Sequence, residues 1–385
     1  SGQRYSPGFA LAHGHPGPVQ QQRSRGGMKE MLILSPGPAN ISERVRQALT
    51  APDIGHREEE FTSLLRETRS LLLDICGAPE GYSCATLSGS GTTGIEATIT
   101  SLSASSGVLI FSNGVYGERA AQIAQVFGIP HTLEKLEWTQ PLPLGRVEEL
   151  VRTTPHDSVY LIHHETTTGI LNPLRQVAEI AKSNHKWVLA DTVSSVGGEE
   201  LDLPGWGVDL VLGSANKCLR GVPGVSFVVL SNQLLEAWSQ RRQVTFSTDL
   251  VSTMSKEEDG ETPFTPPVQT MYALREAARE LLEEGVENRI AHYRGIATTL
   301  RDGLTSLELD FLVPREHLSN TMTTVMLPEG WSYPELHAPL KERGYAIYKS
   351  QGHLSQTTFR LGTVGLMSQE DIRGFLTALQ QVLGR

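Results

Sequence analysis

From residue 80 to 232 short apolar runs alternate with stretches whose apolar residues recur at helical spacing. The runs predict strands over Ser83–Leu87, Val108–Ser112, His131–Leu136, Val159–His163, Trp187–Ala190, Leu210–Leu212 and Val225–Leu230. Helices are predicted between several of them, at Gly94–Leu102, Gly117–Phe127 and Leu174–Ser183. Strands joined through helices require crossover connections, which give a mainly parallel sheet covered on both faces. Such sheets bind ligands at the carboxyl ends of their strands. The last third reads differently. Tyr272–Leu300 is a long helical pattern with a break expected near Gly285. A strand at Thr323–Leu327, a helix at Pro334–Gly344, strands at Tyr345–Lys349 and Thr357–Leu361, and a closing helix at Gln369–Leu383 follow. The expected organisation is a large α/β domain over residues 28–275 and a smaller C-terminal α+β domain over residues 276–385.

Composition narrows the class. Apolar residues make up 39% and charged residues 20% of the 385 positions, as in ordinary globular chains. The net charge is -10, with no cluster of Lys and Arg, so nucleic acid and anionic membrane surfaces are poor partners. No apolar stretch is long enough for a transmembrane helix. Three cysteines, Cys76, Cys84 and Cys218, are too few and too irregular for a disulfide framework or a zinc site. A reducing, cytoplasmic location is expected. Residues 1–27 have no acidic residue and repeated Gly/Pro punctuation, and are expected to be a disordered leader or tag. A mitochondrial transit segment is the alternative, since Arg4, Arg23 and Arg25 occur there without acids.

Four segments carry chemistry, each at a predicted strand end. Ser88–Gly94 is rich in Gly, Ser and Thr before a helix, which suits one phosphate group at the helix N-terminus, and equally a capped turn. It lacks the Gly-Lys-Ser/Thr of a Walker loop and the spacing of a dinucleotide fingerprint. Asp191 ends an apolar strand, where a carboxylate can hold a protonated ring nitrogen, bind a metal or cap its own turn. Lys217 follows another strand among small residues, which would lower its amine pKa and favour attack on carbonyls; most lysines, however, are surface groups. His163 and His164 are adjacent on a strand, so their side chains diverge and no metal is expected there. Together, a phosphate cradle, a strand-end acid and a strand-end lysine match what pyridoxal phosphate needs.

The motifs LSPGPANIS, LSGSGTTGIEA, FSNGVYGER, HHETTTGILNP, LADTVSS, GSANKCLRGVPG, FTPPVQT and FRLGTVG resemble those of class V, fold type I pyridoxal-phosphate aminotransferases. The resemblance covers about Met31 to Leu383. ETTTGILNP, SANKCLRGVPG and Ser247–Leu250 are most similar to the 2-aminoethylphosphonate:pyruvate aminotransferases. Gly55–Phe61 resembles a segment of alanine/serine:glyoxylate aminotransferases and also one of phosphonate-biosynthetic relatives of the aminoethylphosphonate enzymes.

The resemblance implies a seven-stranded, mainly parallel sheet with a small second domain, a homodimer, and an N-terminal segment, Met31–Ser42, that crosses to the small domain and the partner subunit. It implies that Lys217 links to the cofactor and shuttles a proton, and that Asp191 pairs with the pyridine nitrogen. Ser90, Gly91 and Thr92 would hold the phosphate. Tyr116 would stack on the ring, with Val193 on its opposite face. Thr167 or Thr168 would meet the ring hydroxyl, and Thr265 the phosphate of the neighbouring subunit. Arg360 would grip the substrate's anionic end, aided by Pro38, Ala39 and Asn40. The implied reaction is transamination from 2-aminoethylphosphonate to pyruvate, with alanine or serine and glyoxylate as the alternative pair. A phosphate- or nucleotide-binding protein without the cofactor is the rival outside this class. A cysteine desulfurase would need a cysteine on a mobile loop, and none of the three is suited.

Overall fold

The computed structural model describes residues 31–385 except 79 and 241; the expectation for residues 1–27 lies outside the described residues. The seven apolar runs form one sheet from β1 (Tyr82–Ser88), β2 (Val108–Ser112), β3 (His131–Lys135), β4 (Ser158–Ile162), β5 (Trp187–Asp191), β6 (Leu210–Ser214) and β7 (Val225–Ser231). Their spatial order is β1-β7-β6-β5-β4-β2-β3. β7 runs antiparallel to both β1 and β6, and every other neighbouring pair is parallel.

The period of two along each strand divides the core into two layers. Leu109, Phe111, Val159, Leu161, Val188 and Ala190 face one layer. Val108, Ile110, Tyr160, Ile162, Leu189 and Leu212 face the other. Helices Glu59–Ile75 and Leu174–Ser183 contribute Phe61, Leu65, Leu72, Val177 and Ala181 to the first layer. Helices Gly91–Thr100 and Val115–Phe127 contribute Ile95, Ala97, Ala120 and Ala124 to the second. With helices on both faces, the free edge for ligands is the carboxyl one, where Asp191 ends β5.

Past residue 267 two helices, Val268–Glu284 and Val286–Ser306, meet at Gly285, whose φ of 88° is a conformation that glycine adopts without strain. A three-stranded antiparallel sheet of Met322–Met326, Thr358–Gly362 and Tyr348–Lys349 packs with the closing helix Gln369–Leu383 around Ile296, Leu300, Val325, Phe359, Leu361 and Phe375. The strand expected over Tyr345–Lys349 is split. Tyr345–Ala346 pairs in parallel with Leu32–Ile33, whereas Tyr348–Lys349 joins the antiparallel sheet. Ile347 marks the change of partner, with its side chain buried in the core.

The N-terminal segment is therefore tied to the last third of the chain. Leu34 lies in the same cluster as Phe359, Gly362 N donates to Leu34 O at 3.0 Å, and Asn40 bridges Gly365. This segment ends beside the carboxyl edge of the large sheet.

Phe359 is fully buried at the centre of the smaller core. Phe359→Ala should lower unfolding free energy by about 3–5 kcal/mol, the range for losing a core phenylalanine. Urea denaturation followed by circular dichroism reads this directly; a loss below about 1 kcal/mol would mean that the small core is loosely packed.

Candidate active site

The turn after β1 leads into helix Gly91–Thr100. Ser90 stands at its N-cap position with no side-chain cap bond, so its hydroxyl and the first-turn N–H groups can serve a ligand. A Cβ at Gly91 would lie 3.0 Å from both methyl carbons of Val193, so glycine lets the helix start close to the turn after β5. Ser90, Gly91, Thr92, Tyr116, Asp191, Val193 and Lys217 all line one cleft of about 180 Å³. Seven residues expected in the site are thus together.

Asp191 is buried and accepts a hydrogen bond from Val193 N at 2.9 Å. Burial pushes its carboxyl up to about 6, opposed by that N–H and by the cations Lys217 and Arg119. Lys217 donates from Nζ to Pro36 O at 2.5 Å. Burial brings its amine down to about 8, while Asp191 favours the charged form and Arg360 disfavours it. A half-buried amine and a buried acid of tuned acidity therefore share one cleft.

The loop expected to aid substrate binding meets Lys217 through residues just before those singled out. Pro36 supplies the carbonyl, and Gly37 passes so close that a Cβ would lie 2.6 Å from Lys217 Cδ. Pro38 is exposed, Ala39 N donates to Asn216 O at 3.1 Å, and the Asn40 amide donates to Ile33 O at 3.2 Å. Arg360 is buried and oriented by two backbone carbonyls. Its Nη1 donates to Thr166 O at 3.1 Å, and its Nε and Nη2 donate to Lys349 O at 3.2 and 2.9 Å. Thr167 turns its hydroxyl to Glu165 Oε1 at 2.6 Å and accepts from Val115 N at 3.1 Å. The Thr168 hydroxyl is buried with no hydrogen-bond partner. Thr265 is exposed and lines a separate cavity with Ser88, Thr93, Ser247 and Thr262, which has no charged side chain in its wall.

Sequence reasoning missed Arg119 and His164, which also line the cleft. Arg119 lies three residues after Tyr116, on the same helix face. Its guanidinium sits 4.8 Å from the Tyr116 ring centroid and donates to Thr92 Oγ1 at 3.2 Å. His164 Nδ1 faces Ser194 O at 2.9 Å, so the proton sits on Nδ1 and Nε2 accepts from Ser319 Oγ at 2.7 Å. Burial pushes its imidazole down to about 4, which keeps it neutral. His163 instead meets Ser195 Oγ at 3.0 Å and the edge of Trp206, so the two imidazoles diverge.

The Aminotransferase class-V family model matches residues 40–373. The 2-aminoethylphosphonate--pyruvate transaminase of Vibrio vulnificus (strain CMCP6) is 35% identical over 363 residues, covering 92% of this chain and 98% of that protein. A protein of the same description from Salmonella paratyphi B is 32% identical over 363 residues, with the same coverage of 92% and 98%. The crystal structure of an alanine--glyoxylate aminotransferase from Nostoc sp. superposes with a TM-score of 0.88 at 29% identity, covering 94% of this chain and 98% of that one.

In protein stripped of small ligands, labelling of Lys217 by trinitrobenzenesulfonate should rise with pH around a midpoint near 8. Asp191→Asn removes a charge that favours the ammonium, so the midpoint should move lower still. Peptide mapping by mass spectrometry gives the profile, and a midpoint near the ordinary lysine value of about 10.4 would show that the amine is not desolvated.

Proposed function

Because the chain belongs to the aminotransferase class-V family, we propose that it moves the amino group of 2-aminoethylphosphonate to pyruvate, leaving phosphonoacetaldehyde and alanine, on pyridoxal phosphate held in the Lys217 cleft. What carries this is the amine of Lys217 and the acid of Asp191 in one cleft, together with a helix N-terminus left open at Ser90. These groups fit the cofactor's three demands: a nucleophilic amine for its aldehyde, an acid for its ring nitrogen and N–H donors for its phosphate. When bound, the cofactor supplies an electron sink for the substrate's amine-bearing carbon.

The chain's own groups do the rest. Lys217, uncharged for part of the time near neutral pH, takes a proton from that carbon and returns one on the other half of the cycle. Asp191, shielded from water, keeps a proton at the ring nitrogen by its negative charge. Ser90, Gly91 and Thr92 would hold the phosphate, and Tyr116 and Val193 would flank the ring, all five lining the cleft; Thr168, whose buried hydroxyl has no hydrogen-bond partner, would serve the ring oxygen from behind that wall. Arg360, fixed by Thr166 O and Lys349 O, offers its remaining N–H groups to the phosphonate of the donor and then to the carboxylate of pyruvate. The Pro38–Asn40 turn is tied to the segment that follows Arg360 by the bridge of Asn40 to Gly365. A cytoplasmic homodimer belongs to the same proposal, with Thr265 of each copy serving the other's phosphate. Among the described residues no helix is long and apolar enough to cross a membrane.

Borohydride should fix the cofactor on Lys217 and bleach the visible band of the loaded protein; trapping on another lysine would refute the assignment.

Parallel assays should place 2-aminoethylphosphonate with pyruvate above alanine or serine with glyoxylate by at least roughly tenfold to a hundredfold in kcat/KM, the worth of one charged hydrogen bond. Arg360→Lys should depress both half-reactions, since a point charge cannot reproduce the guanidinium fork. If alanine or serine with glyoxylate is the better pair, the phosphonate assignment fails while Lys217 and Asp191 keep their roles.

A further inference from the structure

Glu165 is fully buried and absent from the wall of the cleft, yet it stands between two of the segments that build it. Its Oε1 accepts from Thr167 N at 3.0 Å and Thr167 Oγ1 at 2.6 Å, and its Oε2 accepts from Tyr116 N at 3.3 Å. Thr167 Oγ1 in turn accepts from Val115 N at 3.1 Å. Val115 and Tyr116 are the first two residues of helix Val115–Phe127. Helix starts leave N–H groups without intrahelical partners, and a side chain at the N-cap usually serves them. Here the N-cap is Gly114, which has no side chain to offer. No other residue fits there, because a Cβ would lie 2.5 Å from Glu165 Cγ and 2.7 Å from its Oε1. The cap is therefore supplied by Glu165 and Thr167 together, across 49 and 52 positions of chain, and their acceptor oxygens meet the positive end of the helix.

We propose that Glu165 is a positioning residue: through this remote cap, with Thr167, it fixes the first turn of the helix and so holds the Tyr116 ring against the cleft. Tyr116 projects from that turn into the cleft, and Arg119, at the start of the next turn, reaches across to Thr92. A first turn that frays would release the aromatic wall and loosen the support of the Arg119–Thr92 contact. Thr167 acts through the helix, since its hydroxyl donates to one partner and accepts from the other.

The cofactor-binding part of the test rests on the function proposed above, and the amide part does not. In cofactor-free protein, Glu165→Gln should speed hydrogen exchange at the Val115 and Tyr116 amides by tenfold or more, while Ala120 and Ala124 in the helix interior stay protected. Thr167→Val, which keeps the shape and removes the hydroxyl, should speed Val115 and leave the fold intact, and it carries the test if Glu165→Gln does not fold. In titrations with pyridoxal phosphate followed by its visible band, Glu165→Gln should weaken binding about tenfold in the wild-type background. In a Tyr116→Ala background the same change should weaken it much less, because the effect passes through that ring. Unchanged amide exchange in both variants would overturn the cap. An equal loss of affinity with and without Tyr116 would overturn the route through the ring. If the wild-type protein takes up no pyridoxal phosphate while the amides respond as described, the proposed function fails and the cap stands.

Discussion

Keeping an amine and a carboxylate out of bulk water within one cleft is the constraint to which the rest of the structure answers. An isolated charge in such a place costs several kcal/mol, and each group escapes part of that penalty by shifting its acidity toward the neutral form. Burial raises Asp191 and lowers Lys217, and each opposes the other's shift. Their remaining needs are met by main-chain groups, Val193 N for the acid and Pro36 O for the amine. Such fixed dipoles require rigid supports. β5 and β6 are parallel neighbours, so their carboxyl ends emerge on the same edge and deliver the two residues within a few positions of each strand. Two core layers, one on each face, hold that edge still.

The parts of this arrangement that depend on short-range pattern were legible in the sequence. β2, β4, β6 and β7 are buried at every position, and such strands appear as unbroken apolar runs bounded by small or polar residues. Lys217, Asp191 and the Ser90–Thr92 turn sit at the ends of such runs, so their place followed from the topology. Helix Glu59–Ile75 is missing from the pattern reading although Phe61, Leu64, Leu65, Thr68, Leu72 and Ile75 form one buried face, because three consecutive glutamates, Glu58–Glu60, mark its start and no apolar run comes just before it to frame it. Contacts between distant positions left no local trace. Pro36 touches Lys217 across 181 positions, and nothing near either residue announces it. Glu165 follows His163 and His164 with no local sign of its role, because its neighbours Gly114 and Tyr116 lie about fifty positions earlier. Arg119 was within reach, since a residue three places after Tyr116 on a helix must share its face.

The same contrast explains the division of labour around Arg360. Its strand could be found from the apolar run that carries it, but its orientation depends on Thr166 O from the hairpin after β4 and Lys349 O from the neighbouring strand. Three segments far apart in sequence thus set one guanidinium. A change in any of them turns the fork without touching Arg360 itself, which makes the direction of this guanidinium a property of backbone placement as much as of residue type.

The pairing of Leu32–Ile33 with Tyr345–Ala346 gives the chain an order of assembly. On a ribosome Leu32–Ile33 is made more than three hundred residues before its partner Tyr345–Ala346. At about 5–20 residues per second, the gap is on the order of tens of seconds. β1 to β7 are made within that interval, so the large sheet and Lys217 exist before Leu32–Ile33 has its strand partner. The carbonyl of Pro36, which meets the Lys217 amine, is therefore anchored by that pairing only long after the amine itself has been made.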